Sequence, residues 1–129
     1  MPDPAAIKAT VEAYAHRHTN GTVAELVELF ADDAVAYDPV DQPPHVGRDA
    51  IAEFFTASRE MADSLVIELT GPVRVAGNQA AFPLVARTAI GDMRIEIDII
   101  DVMTFDDDAS ITEMRAYWSM DDARSTTPR

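Results

Sequence analysis

Ile97-Asp98-Ile99-Ile100-Asp101-Val102-Met103-Thr104-Phe105 reads as a β-strand, and one of its two faces is unusual. Side chains alternate across a strand, so Ile95, Ile97, Ile99, Asp101, Met103 and Phe105 share one side. A carboxylate among isoleucines, a methionine and a phenylalanine resists ionising, because burial disfavours the charged form. A neutral carboxylic acid in a dry pocket is a hydrogen-bond donor, suited to a developing oxyanion. The plainer alternative is an Asp paired with a buried arginine, or one near a strand end that reaches water.

Outward from this strand the pattern is legible in both directions. Gly91-Asp92 marks a hairpin turn before it. The segment 80–90 reads as the partner strand, where Pro83 implies a bulge or an edge position. Residues 65–76 form another strand, interrupted at Gly71-Pro72. After Phe105 an acidic turn at 106–109 leads to a last strand over 111–120. Met114, Ala116, Trp118 and Met120 alternate on one face of it. The tail from residue 121 to 129 is polar and expected to fray.

The first half is helical. Ile7, Val11, Tyr14 and His18 lie at i, i+4, i+7 and i+11, one face of a helix over 4–18. Asn20-Gly21 ends it. Thr22-Val23-Ala24-Glu25 is a capping box opening a second helix. That helix buries Leu26, Leu29 and Phe30 and closes at Asp32-Asp33. A short strand at 35–37 ends at Asp38-Pro39. The proline-rich stretch 41–47 is a loop. A third helix at 49–59 turns Ile51, Phe54 and Phe55 inward. Helices first and a mostly antiparallel sheet after them define an α+β fold. Three N-terminal-half helices lie over the concave face of a strongly curved sheet, leaving a conical pocket. Residues 1–129 are expected to form a single domain.

Composition narrows the function. The chain has 129 residues, 47% hydrophobic, no cysteine and a net charge of −13. That charge argues against nucleic acid and anionic membranes as partners. It favours a neutral apolar small molecule. No apolar run is long enough to span a bilayer. The start, Met-Pro-Asp-Pro, has neither a basic region nor an apolar stretch, so no export signal is expected. Absence of cysteine fits a cytoplasmic protein. His16 and His18 point to different sides of a helix and His45 stands alone, so no metal site is expected. Ile100 and Val102 put an apolar patch on the outer sheet face. Such a patch is best covered by a second subunit, so a homodimer through that face is expected.

Asp38 stands at the end of a strand, where the following proline sets an extended or turn backbone. That holds a carboxylate at a pocket rim, the place for a general base. A lone Asp-Pro is more often a simple turn opener. Tyr14 can donate its hydroxyl to a ligand, although a tyrosine on an amphipathic helix is more often core. Arg74, Arg87, Arg94 and Arg115 lie on strands and are expected to pair with surface acids.

Taken together, Phe-Ala-Asp-Asp-Ala-Val-Ala-Tyr-Asp-Pro (30–39), Leu-Thr-Gly-Pro-Val-Arg (69–74), Asp-Ile-Ile-Asp-Val-Met-Thr-Phe-Asp (98–106) and Met-Arg-Ala-Tyr-Trp-Ser (114–119) resemble bacterial ketosteroid isomerase. The likeness runs from the first helix through Trp118, and the spacing of Tyr14, Asp38 and Asp101 fits it. The wider superfamily includes polyketide cyclases, limonene epoxide hydrolase and nuclear transport factors, so the fold alone says little about function.

The resemblance implies a steroid Δ5-isomerase that needs no cofactor or metal. Asp38 is then the base, and Tyr14 and protonated Asp101 are the two donors to a dienolate oxygen. A neutral acid used as a donor is a known device of that family. Phe54, Phe55, Val66, Phe82, Leu84, Ile99, Met103, Met114, Ala116 and Trp118 are the candidates to line the cavity. One departure is visible. Better-known members surround the oxyanion tyrosine with further tyrosines, and the matching positions here are Phe30 and Phe55. Three other readings of the same cavity stand beside this one. They are a hydrolase that activates water with an Asp–Arg–Asp set, a non-catalytic steroid- or lipid-binding module, and a polyketide aldol cyclase.

Overall fold

The protein, described here by a computed structural model covering residues 1–126, begins with helix α1 (Pro4–Asn20). Asp3 caps it by accepting from the Ala5 N–H, and it buries Ile7, Val11, Tyr14, Ala15 and His18 along one stripe. Thr22 and Glu25 form the expected reciprocal cap on α2 (Val23–Val27).

Here the sequence reading needs its first correction. α2 ends before Phe30, and strand β1 runs from Phe30 to Tyr37. Phe30 is fully buried as a strand residue, not a helical one. Leu26 and Phe30 fit helical spacing equally well, and β1 is irregular between Phe30 and Val35, which hid its start. The loop at 41–47 contains a two-residue strand β2 (His45–Val46) paired with β1. α3 (Arg48–Glu60) buries Ile51 and Phe55, while Phe54 is half-buried.

The remaining elements are β3 (Ser64–Leu69), β4 (Arg74–Ala76), β5 (Gln79–Ile90), β6 (Met93–Phe105), β7 (Ile111–Tyr117) and β8 (Ala123–Ser125). The sheet order is β2-β1-β7-β6-β5-β3, with β4 on β5 and β8 on β6. All pairings are antiparallel except β1 with β7. This is a curved, open, mostly antiparallel α+β sheet with the helices on its inner face. A two-residue loop joins β5 to β6, with Gly91 at φ +57, a conformation glycine adopts without penalty.

Pro83 makes neither a bulge nor a true edge. It pairs in register with Ile100, and its carbonyl accepts from the Thr70 N–H on the other side. Its missing N–H lies where β3 stops and β4 has not begun, so no ladder bond is lost. Gly71 passes against its ring, where an added Cβ would sit 2.9 Å from Pro83 Cγ.

The end of the chain also differs from expectation. β7 stops at Tyr117. Met120 is exposed and begins a short 3-10 turn (Met120–Asp122), so it does not continue the inner face. Residues 123–125 are not frayed. They pair with β6, and Arg124 bonds Glu96 and Asp98. The rest of the polar tail, residues 127–129, lies outside the described residues. On the outer face Ile100 is 53% exposed and sits near Tyr117 and Pro83 in a depression of about 400 Å³. No described helix is long and apolar enough to cross a membrane.

α1 and α3 are locked together by Arg59. Its guanidinium donates to three carbonyls at the end of α1, those of Gly21 (2.8 Å), Arg17 (3.2 Å) and His18 (3.0 Å). Thr19 ties the same end to β3, donating to the Ile67 carbonyl and accepting from its N–H. Arg59→Leu is expected to lower unfolding stability by about 2 kcal/mol, since a charged donor to several carbonyls is lost. Urea unfolding checks this, and a change within about 0.5 kcal/mol would contradict it.

Candidate active site

Asp101 takes its position from register. On β6 it faces Phe82 of β5 and Ala116 of β7, with Ile99 and Met103 above and below on its own face. It is 2% exposed. Tyr14 approaches from α1 and is 4% exposed. Its ring packs edge-on against Phe30 at 6.4 Å and His18 at 5.6 Å. Phe55 completes this aromatic group, 6.0 Å from Phe30 and 5.2 Å from His18. The structure therefore surrounds Tyr14 with rings that cannot bond its hydroxyl, apart from His18.

Among the described residues, neither the Tyr14 hydroxyl nor the Asp101 carboxyl makes a side-chain hydrogen bond. Neither is sealed off, since each keeps a little open surface. Two nearly buried polar groups without partners call for an explanation, and an oxygen-bearing ligand would complete their bonding. Burial raises Asp101 well above the usual carboxylate range, and the negative charge of Asp38 adds to this. Burial likewise holds the Tyr14 hydroxyl protonated, with Asp101 and then Asp38 reinforcing it.

Asp38 lies at the end of β1, beside Trp118. The peptide bond to Pro39 is cis. The indole Nε1–H donates to Asp38 Oδ1 at 2.7 Å. Burial, the largest effect, leaves the Asp38 carboxyl above the usual carboxylate range, with the Trp118 bond and then His45 opposing it. The two acids thus differ in kind. Asp101 has no donor to support an anion, while Asp38 has one built in.

Asp38 and Trp118 form part of the wall of a cavity of about 290 Å³, near the lower end of the usual size for a small-molecule site. Phe54, Phe55 and Ser58 of α3, with Met61 and Ala62, form one side of it. Leu65, Ile67, Ala86, Thr88, Ile90, Ile97 and Ile99 form the sheet side, and His18 closes it against α1. Asp101 and Tyr14 do not line this space. Register places Asp101 one step past Ile99 on the same face, just beyond the cavity wall, and Tyr14 lies one helical turn before His18.

The lining expected from sequence divides accordingly. Phe54, Phe55, Ile99 and Trp118 are on the wall. Phe82, Leu84, Met103, Met114 and Ala116 are packed in the core around and beyond Asp101. Val66 is a correction. It pairs with Arg87 and faces away, while Leu65 and Ile67 face in. Glu68, two residues on and exposed, carried that information in the sequence. His18, Ser58 and the sheet residues toward the open end were not anticipated. The arginines are elsewhere. Arg87 pairs with Glu68 and Glu96, and Arg115 pairs with Glu113 and stacks over Tyr37 at 4.7 Å. Arg74 is exposed on β4. Among the described residues, no arginine lines the cavity.

Residues 11–114 match the family described as SnoaL-like domain. The chain is 39% identical over 118 residues to the steroid Delta-isomerase of Nocardioides simplex, covering 92% of this chain and 94% of that protein. It is 28% identical to the epoxide hydrolase LasB of Streptomyces lasalocidi, over 98% of this chain but 46% of that protein. The solved structure of SalBIII, an epoxide hydrolase/cyclase-like enzyme of pyran ring formation in the polyether salinomycin, superposes with a TM-score of 0.88. Its identity is 28%, with 97% of this chain and 99% of that one covered. The chain belongs to the SnoaL-like family, on the branch of the bacterial ketosteroid isomerases. It is an isomerase that acts on a small molecule.

Two measurements follow from the contrast between the acids. Trp118→Phe removes the donor to Asp38, so the Asp38 carboxyl is expected to titrate at higher pH, read by carbon NMR of labelled aspartate. An unchanged titration would contradict the role of that bond. For Asp101 the folded-state pKa is raised. Its penalty is therefore absent below the unfolded value, about 3.9, and grows as pH rises toward the folded value. Asp101→Asn is expected to be more stable than the parent at pH 7 by about 1 kcal/mol, with the gain vanishing near pH 3.

Proposed function

We propose that this chain is a steroid Δ5-isomerase, converting 3-oxo-Δ5 steroids to 3-oxo-Δ4 steroids. The observation that carries the reading is the pair of buried, unpartnered donors, Tyr14 and Asp101, past the end of an apolar cavity with an ionisable Asp38 on its wall.

The steroid enters with its 3-keto oxygen at Tyr14 and Asp101. Asp38 takes a proton from C4. That electron pair becomes the C3–C4 double bond, and the carbonyl oxygen gains negative charge as a dienolate. Tyr14 and neutral Asp101 donate to that oxygen, in surroundings where such bonds are strong because water is excluded. Asp38 then returns the same proton to C6, and the double bond shifts into conjugation. Asp38 is ionised at the start and at the end, so one carboxylate serves as base and then, protonated, as acid. While Asp38 is charged, Asp101 is held neutral by both its burial and that charge.

The similarity to LasB and SalBIII favours a second reading, epoxide opening by activated water or by an internal hydroxyl. An Asp–Arg–Asp arrangement would need an arginine between the acids, and Arg74, Arg87 and Arg115 are all placed outside the cavity. A binding module without chemistry has no need for an acid pair with such different environments, and an aldol cyclase would need only one of them. The outer-face depression around Ile100 and Tyr117 supports a homodimer through the sheet, which sedimentation of the free chain tests.

With 5-androstene-3,17-dione, growth of enone absorbance well above the buffer rate is expected, and none would remove the isomerase reading. Asp38→Asn is expected to lower kcat by several orders of magnitude while steroid binding is nearly kept. Asp101→Leu should lower kcat and weaken binding of a phenolic steroid by about tenfold, the loss of one strong hydrogen bond. Near-parental turnover in Asp38→Asn would overturn the base assignment.

A further inference from the structure

His18 is the buried polar group for which this chemistry has no use. It is 7% exposed, and among the described residues its Nδ1 is the one completely sealed side-chain nitrogen or oxygen with no partner. Its other ring nitrogen, Nε2, makes no hydrogen bond either, yet is not sealed. The ring is held firmly between Tyr14 and Phe55. Its backbone is fixed from two sides, by Arg59 on its own carbonyl and by Thr19 on β3. It belongs to the wall of the cavity that holds Asp38.

We propose that His18 is a third hydrogen-bond donor in this cavity, presenting Nε2–H to a second oxygen of the ligand beside the one held by Tyr14 and Asp101. We assign the proton to Nε2. A buried N–H without an acceptor is rarer in proteins than a buried lone pair without a donor, and the sealed Nδ1 has no acceptor in hydrogen-bonding geometry, although the His18 carbonyl lies near enough to favour protonation. The ring is also neutral, since burial lowers its pKa to about 4. The charged groups around it are Arg59, which opposes protonation, Asp38 in the same cavity, and Asp63 at a neighbouring groove. His18 borders both the cavity and that groove. A neutral imidazole with its N–H on the unsealed nitrogen selects an acceptor. The ligand class is therefore a cyclic ketone or enol carrying a second oxygen, hydroxyl or carbonyl, on the same ring. The inference rests on this cavity being the ligand site, not on the ligand being a steroid.

The test uses 2-naphthol and 2,3-dihydroxynaphthalene as probes, titrated by fluorescence against the parent and His18→Phe, which keeps the ring contacts. The parent is expected to bind the diol about fivefold more tightly than the mono-ol. In His18→Phe the two should come within about twofold, with 2-naphthol affinity little changed. Equal affinities in the parent, no binding of either probe, or a preference that survives in His18→Phe would each overturn the proposal. A readout on the parent alone guards against a variant that fails to fold. Nitrogen NMR of the imidazoles should show His18 protonated on Nε2 at neutral pH, and adding the diol should shift that nitrogen more than the mono-ol does. A proton on Nδ1 would overturn the proposal as well. A chain that shows the naphthol preference but does not isomerise the androstenedione keeps this inference and loses the steroid reading; the reverse result does the opposite.

Discussion

Everything in this protein is arranged around a carboxyl group set on a strand face where water does not reach. Asp101 has isoleucine, methionine, phenylalanine and alanine around it and, among the described residues, no arginine paired with it. An ionised carboxylate there is disfavoured by burial and by the charge of Asp38, so the protonated form is favoured. Once protonated it is a donor with nothing to donate to. Tyr14, brought to the same depth by α1, is in the same condition. The fold thus carries two donors without partners, and in the proposed reaction an oxygen that gains charge would satisfy them best.

The helices do more than cover the sheet. Arg59 and Thr19 fasten the end of α1 to α3 and β3, and that fastening sets the depth of Tyr14 and the orientation of His18. Phe30 and Phe55 fill the space around Tyr14 with rings that offer no hydrogen bonds. The hydroxyl therefore stays free for the ligand instead of being absorbed into a network. On the other wall, Trp118 supplies the bond that separates Asp38 from Asp101 in character. In the proposed reaction that difference lets one acid serve as base and the other as donor.

Much of this was legible in the residues. The period-two pattern of β6 placed Asp101 on its apolar face, and the helical spacing of Ile7, Val11, Tyr14 and His18 placed Tyr14 inward. The errors came where one pattern serves two structures. Phe30 fits the periodicity of α2 but is drawn into β1 by pairing with Ile111. Val66 lies in a run of three apolar residues, where only the exposed Glu68 reveals which ones face in. The expected lining extended too deep, to Met103 and Met114, because an inward side chain in a cone is either wall or core according to how far along the strand it sits. The partnerless state of His18 is a tertiary fact. Nothing in its helix announces that two aromatic rings and a capped carbonyl hold it there.

The account stands on the charge state of one group. Infrared difference spectroscopy of the free protein at neutral pH, parent minus Asp101→Asn, should show the C=O stretch of a protonated carboxylic acid that disappears with the substitution. Its presence, together with an Asp38 that is ionised under the same conditions, is the predicted result. A spectrum in which Asp101 contributes only carboxylate bands at neutral pH would contradict the account at its base.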